Sequence, residues 1–328
     1  MEDDHALREG AGIGSISARA QIAVAGNDRA SYLQGLLTND IQALTAGTGC
    51  YAAWLTPQGR MITDLHVLES GDMILLDVPV ELVDATLQRL DQYLFSEDVQ
   101  IASLTGALRG VWIHGPAAGA TLSAVIGSAA ALEGWPEYQN ARFEFGAVSV
   151  VVARITQLGV PGFCVYIAPE EADALVRALV AGGAREVSQE AIDALRIEAG
   201  YPVFGSDMTE DTIPLEAGIE SRAISFTKGC YVGQEIVIRV LHRGGGRVAR
   251  KLVGLRVEGA VPQRGTRILA GNREIGFVTS AASASSGHAI ALGYVHRDFT
   301  AAGTEVAVAT GETTQPATVT DRPIPSAA

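Results

Sequence analysis

Basic residues are in short supply. The chain has 24 lysines and arginines against 37 aspartates and glutamates, a net charge of -13. A chain this acidic is not built to coat nucleic acid, so any anionic partner has to meet a local basic patch. Cysteine is scarcer still, with Cys50, Cys164 and Cys230 the three present in 328 residues. They are far apart and form no Cys-x-x-Cys pair. That argues against a disulfide framework, a self-contained zinc site or an iron–sulfur ligand pattern, and no permanently bound metal is expected. No apolar run approaches a membrane span. The start, Met1-Glu2-Asp3-Asp4-His5, lacks the basic and apolar stretches of an export signal, so a soluble, cytoplasmic protein is expected. There is no His-Glu-x-x-His, no Gly-x-Ser-x-Gly and no dinucleotide fingerprint. Gly244-Gly245-Gly246 lacks the Lys-Ser/Thr of a phosphate-binding loop. Tandem repeats and heptads are missing too.

What is present is ordinary globular composition, 48% hydrophobic and 19% charged, in a chain long enough for two or three domains. Residues 20–25 alternate as a strand, and Tyr32, Leu33, Leu36 and Leu37 share one helical face after Gly26-Asn27-Asp28. Runs 50–55, 60–69 and 73–78 are separated by Thr56-Pro57-Gln58-Gly59 and Ser70-Gly71-Asp72, which predicts an antiparallel meander. Val83, Leu87, Leu90 and Leu94 have helical spacing. Strands are expected over 98–104, 108–113, 142–153 and 162–167, with helices near 117–126 and 170–181. Ser188 can cap a helix from Gln189 to Ala199, stopped by Gly200 and Pro202. Residues 201–227 have little periodicity, which for a segment that long points to function or linkage. From about 250 the pattern is all strand: 251–257, 266–270, 273–280, 289–295 and 305–309. The Pro-rich end, 322–328, reads as frayed.

The fold class is therefore α+β. Two mixed antiparallel-sheet and helix parts are expected over 1–240, the inner one at about 48–108, followed by a barrel-like all-β domain over 248–328.

Three places carry chemistry. Lys228-Gly229-Cys230-Tyr231-Val232-Gly233-Gln234-Glu235 sets a thiol between glycines and beside a lysine. Cys230 is either a small core residue or a reactive thiolate supported by Lys228. Glu198 ends its helix in Arg196-Ile197-Glu198-Ala199-Gly200-Tyr201-Pro202. It is either a surface ion-pair partner or a carboxylate able to accept two hydrogen bonds from an amino-pyrimidinone edge. Asp64 interrupts an apolar strand, either on a solvent face or buried as a general acid or base. In addition, Arg239, His242, Arg243, Arg247, Arg250 and Lys251 surround the triple glycine as an anion site, open to RNA or an acidic partner, or as a basic linker.

Together these segments resemble one family. Lys228 to Glu235 is similar to the signature of YgfZ-type folate-binding proteins, relatives of the aminomethyltransferase (T-protein) of the glycine cleavage system. Tyr32 to Asp40, Gly59 to Asp64, Arg196 to Gly200 and Pro214-Leu215-Glu216-Ala217-Gly218 resemble further blocks of that family. The resemblance implies a three-part ring around a tetrahydrofolate pocket, with Glu198 holding the pterin and Asp64 facing the reactive end. Arg196, Tyr201 and Arg154 stand with them as cofactor-binding candidates, and Cys230, Asp64 and Lys228 as catalytic ones. The signature segment implies an accessory factor for assembly or repair of iron–sulfur client proteins, with Cys230 as the functional thiol. Asp64 keeps open a folate-dependent aminomethyl or one-carbon transferase. A third alternative is a non-catalytic module binding RNA or protein through Arg239 to Lys251. Whether there is turnover stays open at this stage.

Overall fold

The computed structural model describes residues 2–127, 131–242, 246–311 and 313–324. In chain order, α1 (Glu2–Glu9) leads to β1 (Gly12–Ile13), β2 (Arg19–Ala25) and α2 (Arg29–Leu36). The meander β3 (Thr48–Leu55), β4 (Met61–Glu69), β5 (Met73–Pro79) follows, then α3 (Val83–Gln92), β6 (Gln100–Ser103), β7 (Arg109–His114) and α4 (Ala118–Val125). Next come β8 (Asn140–Phe145), β9 (Val148–Arg154), β10 (Gly162–Ile167), α5 (Pro169–Ala181), β11 (Arg185–Glu186) and α6 (Gln189–Glu198). Single turns α7 (Pro214–Ala217) and α8 (Glu220–Ala223) precede α9 (Gln234–His242). The last strands are β12 (Arg250–Val257), β13 (Arg267–Ala270), β14 (Arg273–Ser283), β15 (Ala289–His296), β16 (Glu305–Thr310) and β17 (Thr313–Thr320).

These make an antiparallel sheet β3-β4-β5-β2-β6, a mixed sheet β11-β1-β7-β10-β9-β8 and a closed barrel β12-β15-β14-β13-β16-β17. The α+β class and the terminal barrel expected from the sequence are observed. The two sheets face each other, and helices cover their backs. On β4, Leu65 and Val67 pack under α2 and α3 with Leu33, Leu37 and Trp54. Alternation turns Asp64, His66 and Leu68 the other way. Leu68 and Leu75 there meet Trp112, Cys164 and Tyr166 of the second sheet. Both faces of β4 are thus buried, so its polar residues Thr63, Asp64, His66 and Glu69 lie inside the protein with its apolar ones.

Four elements depart from expectation. Run 142–153 is two strands, because Gly146, at φ +61°, turns the chain without interrupting the apolar pattern. Run 201–227 contains α7 and α8, each too short to show a period. The acidic start forms α1, held where Arg185 bonds Asp3 and where Asp3 accepts from the Ser188 amide. Strand β17 closes the barrel although its sequence is polar and contains Pro316, which pairs with Ala307 on β16 only, so its missing N–H interrupts no second ladder. Arg243, Gly244, Gly245 and residues 325–328 lie outside the described residues.

The barrel is keyed to α6. Arg196 donates to Asp207 at 2.8 Å and to the Ser280 hydroxyl at 3.1 Å. Asp207 also accepts from Thr279 and Ser280, and Tyr294 donates to its carbonyl. All of these side chains except Tyr294, an aromatic, are polar groups that burial would penalise without such partners.

His114 gives the sandwich a pH dependence. It is fully buried, stacked on Trp112 with centroids 6.0 Å apart, and its Nε2 meets the Gly14 carbonyl. Burial pushes its imidazole down to about 4, with the Gly14 contact acting weakly in the other direction. A histidine kept neutral in the fold but protonated in the unfolded chain stabilises above the unfolded pKa. That contribution, about 3 kcal/mol, is lost as pH falls from 6.5 towards 4. Denaturant unfolding at pH 7 and 4.5 is expected to show this loss, and His114→Gln to flatten the slope.

Candidate functional site

Cross-strand register builds a polar row on the inner face of the first sheet. Gln21 pairs with Asp77, Asp77 with His66, and His66 with Tyr51 across β2, β5, β4 and β3. Asp77 receives Gln21 Nε2 at 2.9 Å, His66 Nδ1 at 3.0 Å and Arg19 Nε at 3.1 Å. Arg19 then reaches Asp64 at 3.3 Å, and the Tyr51 hydroxyl donates to the other Asp64 oxygen at 2.8 Å. Asp64 is 3% exposed, so it belongs to the buried reading and not to a solvent face.

The charges in this row balance through geometry. Burial works against the Arg19 cation, but Asp64 and Asp77 overcome it and hold its proton more firmly. Burial also opposes the Asp77 charge, and Arg19 followed by His66 and Gln21 keep that carboxyl below its usual range. His66 is pushed down by burial and by Arg19, so it is neutral near pH 7. With Nδ1–H on Asp77, its Nε2 is a buried acceptor without a partner among the described residues.

Above the row lies a stack. The Arg222 guanidinium sits 4.5 Å from the Tyr51 ring centroid and 3.9 Å from that of Tyr201. Burial opposes its charge, but Tyr201 and Tyr51 outweigh that and raise its pKa. Its Nη2 and the Tyr201 hydroxyl are buried without hydrogen-bond partners among the described residues. Tyr138 closes the side, its ring 6.0 Å from His66. Gly49 on β3 permits this approach, because a Cβ there would lie 2.4 Å from the Val67 carbonyl and 3.1 Å from that of Tyr138. A cluster of aromatic faces with unpaired donors is suited to a flat, polar-edged ligand.

The residues singled out in the sequence are not all brought together here. Asp64 and Tyr201 meet through Tyr51 and Arg222. Glu198 instead takes both terminal nitrogens of Arg8, at 2.7 and 3.2 Å. Its carboxylate therefore fastens α1 to α6, the ion-pair reading of that residue. Arg196 faces the barrel junction. Arg154 donates to the carbonyls of Glu133 and Trp135. Arg250 is bonded to Glu216 and lies over the rings of Phe277 and Tyr294, whereas Arg239, Arg247 and Lys251 are exposed.

The Cys230 thiol is exposed, so it is no core filler. Lys228, however, gives its three protons to the carbonyls of Gln34, Leu37 and Asn39, at 2.6, 2.7 and 2.7 Å. The expected support of a Cys230 thiolate by Lys228 has no donor left to make it. The lysine instead caps the end of α2 and pins the loop to it, aided by the Val232 amide on the Gly35 carbonyl. Lys228→Met, which keeps the stem, is expected to cost about 2–4 kcal/mol through three carbonyls left bare. Limited proteolysis should cut residues 225–233 faster in that variant.

Arg19, Tyr51, His66, Asp77, Tyr138 and Arg222 were not singled out from the sequence. Aromatic poverty, 6% of residues with eight tyrosines, was the available signal, since three of those tyrosines surround one arginine.

The fold is that of a solved aminomethyltransferase. Glycine cleavage system aminomethyltransferase T from Bartonella henselae superposes with a TM-score of 0.88 at 24% identity, covering 99% of this chain and 89% of that one. The family pattern of the GCVT N-terminal domain matches residues 1–228, and that of the glycine cleavage T-protein C-terminal barrel domain matches residues 250–324. The chain belongs to the glycine cleavage T-protein family. An aminomethyltransferase of Rubrobacter xylanophilus is 32% identical over 295 residues, 89% of this chain and 78% of that protein. One from Bacillus subtilis is 27% identical over 315 residues, 94% and 85% respectively. Among the described residues no helix is long and apolar enough to cross a membrane.

Proposed function

We propose that this chain is a tetrahydrofolate-dependent one-carbon transferase of the aminomethyltransferase kind. The observation that carries the reading is Asp64, a buried carboxylate held by Tyr51 and Arg19 beneath the Arg222 stack, in a chain of this family. The site fits a reduced folate in its donors. Tyr201 Oη and Arg222 Nη2 lack hydrogen-bond partners among the described residues, and the rings of Tyr51, Tyr138 and Tyr201 supply flat apolar walls. The bound folate would supply the nitrogens that carry the one-carbon unit. Asp64 would orient the attacking amine and take its proton, while the one-carbon unit's bonds to its nitrogen and to the lipoyl sulfur break and the two protons leave with ammonia and the lipoyl thiol. Tyr51 and Arg19 would fix the carboxylate. The test is purified protein with tetrahydrofolate and an aminomethylated lipoyl carrier protein. Formation of methylene-tetrahydrofolate is expected, and no product above the protein-free rate excludes this transferase activity.

A second reading, an accessory factor for iron–sulfur proteins, is favoured by one observation. The Lys228 to Glu235 signature presents Cys230 to solvent on a loop fixed by Lys228. Here the thiol would act as a nucleophile or transient ligand towards a client protein. Restoration of iron–sulfur enzyme activities by wild type but not by Cys230→Ser, in a strain lacking the gene, would support it. Equal restoration by both would remove the thiol from the mechanism.

A further inference from the structure

A ligand with an amino-pyrimidinone edge presents two adjacent N–H donors, and one carboxylate accepting both is the matching group. The carboxylates that could serve can be sorted by what they already hold. Asp64 has one oxygen on Tyr51 and the other on Arg19. Asp77 holds Gln21, His66 and Arg19. Glu198 is paired at both oxygens with Arg8. Glu220, whose Oε2 is buried without a hydrogen-bond partner among the described residues, is two residues before Arg222 on the single turn α8. Residues two apart on a helix point to different sides, and Glu220 lines a groove with Lys251 and Arg322 instead.

Glu137 differs. One oxygen accepts the Thr156 amide at 2.6 Å, and the side chain is exposed. Its other hydrogen-bonding neighbour is the Thr156 hydroxyl, and no ion pair of Glu137 occurs among the described residues. Although its tip is open, desolvation around the carboxyl raises its pKa, while the Thr156 bonds and the charges of Arg154 and Arg222 pull the other way. Glu137 is thus within electrostatic reach of the guanidinium that stacks on Tyr51 and Tyr201. The next residue, Tyr138, has φ +63° and is the one non-glycine with positive φ among the described residues. That conformation costs about 1–3 kcal/mol and persists where surroundings enforce it. Here the Tyr138 amide donates to the Arg154 carbonyl at 2.8 Å, and Asn140 holds the Tyr138 carbonyl at 3.3 Å. The bend sets the Tyr138 ring on His66 and Glu137 on Thr156 at the edge of the same cluster.

We propose that Glu137, and not Glu198, is the carboxylate that reads the ring edge of the ligand and selects for a 2-amino pteridine. This rests on the reduced-folate reading above. The carboxylate keeps acceptor capacity for a ligand, since the Thr156 amide and hydroxyl use two of its roughly four lone-pair sites.

Calorimetric titration of the full chain with tetrahydrofolate and with its 2-desamino analogue tests it. Glu137→Gln keeps an acceptor for Thr156 and removes the charge. It is expected to weaken tetrahydrofolate by about 10–100-fold and to leave the desamino analogue unchanged. Glu198→Gln, measured alongside with its melting temperature, should bind both as wild type does. Unchanged tetrahydrofolate affinity in Glu137→Gln overturns the assignment, as does an equal loss for both ligands. Selective loss in Glu198→Gln instead returns the role to that residue. Wild type failing to bind tetrahydrofolate defeats the folate reading itself and is told apart by affecting every variant alike.

Discussion

Asp64→Asn is expected to lower one-carbon transfer by about 10²–10⁴-fold, the range over which a positioned acid–base group contributes. The substitution keeps the shape of the side chain and an oxygen for the Tyr51 hydroxyl. It removes the negative charge opposite Arg19 and the capacity to take a proton. Tetrahydrofolate affinity should change far less than turnover, because the stack of Tyr51, Arg222 and Tyr201 is left in place. Single-turnover kinetics beside a calorimetric titration separates the two. A variant that turns over like wild type would remove Asp64 from the chemistry.

Arg19→Met is expected to produce the largest loss of stability, about 3–5 kcal/mol, because it leaves buried carboxylates without their cation. Its side chain is 6% exposed and bridges Asp64, at 4%, and Asp77, at 0%. Whole-protein stabilities are about 5–15 kcal/mol, so this is a large share. The sign with pH follows from Asp77. Its folded pKa is depressed, so its contribution is present above the unfolded value of 3.8 and is lost as pH falls below it. Without Arg19 that acid-side dependence should shrink. Adding Asp77→Asn to Arg19→Met should recover part of the loss, since one uncompensated charge is then gone. Denaturant midpoints of the wild type, the two single variants and the double variant measure all of this.

The meander β3 to β5 was legible because the turn sequences Thr56-Pro57-Gln58-Gly59 and Ser70-Gly71-Asp72 separate three strand-like runs. The helix ending at Glu198 was legible from Ser188 and Gly200. What stayed hidden is long-range pairing. Nothing near Glu198 announces that its partner is Arg8, and nothing near Lys228 announces the open carbonyls of Gln34, Leu37 and Asn39. Asp64 was visible as an odd residue in an apolar strand. Its burial was not, because a sheet covered on both faces loses the polar alternation that would mark its solvent side. Arg222, on the single turn α8, and Glu137, in a loop, sit where spacing carries no information, and only the meeting of Tyr51, Tyr138 and Tyr201 picks them out.

Glu198 has a second role beyond its side chain. Its carboxylate grips Arg8 while its carbonyl accepts the Ile324 amide at 2.8 Å. Residues 8 and 324, far apart in sequence, are fastened to one position. Topologically the chain is nearly a closed necklace with Glu198 as its clasp. A short linker joining the two sides, with new ends opened in an exposed turn such as Gly271, should give a circular permutant that keeps all three sheets.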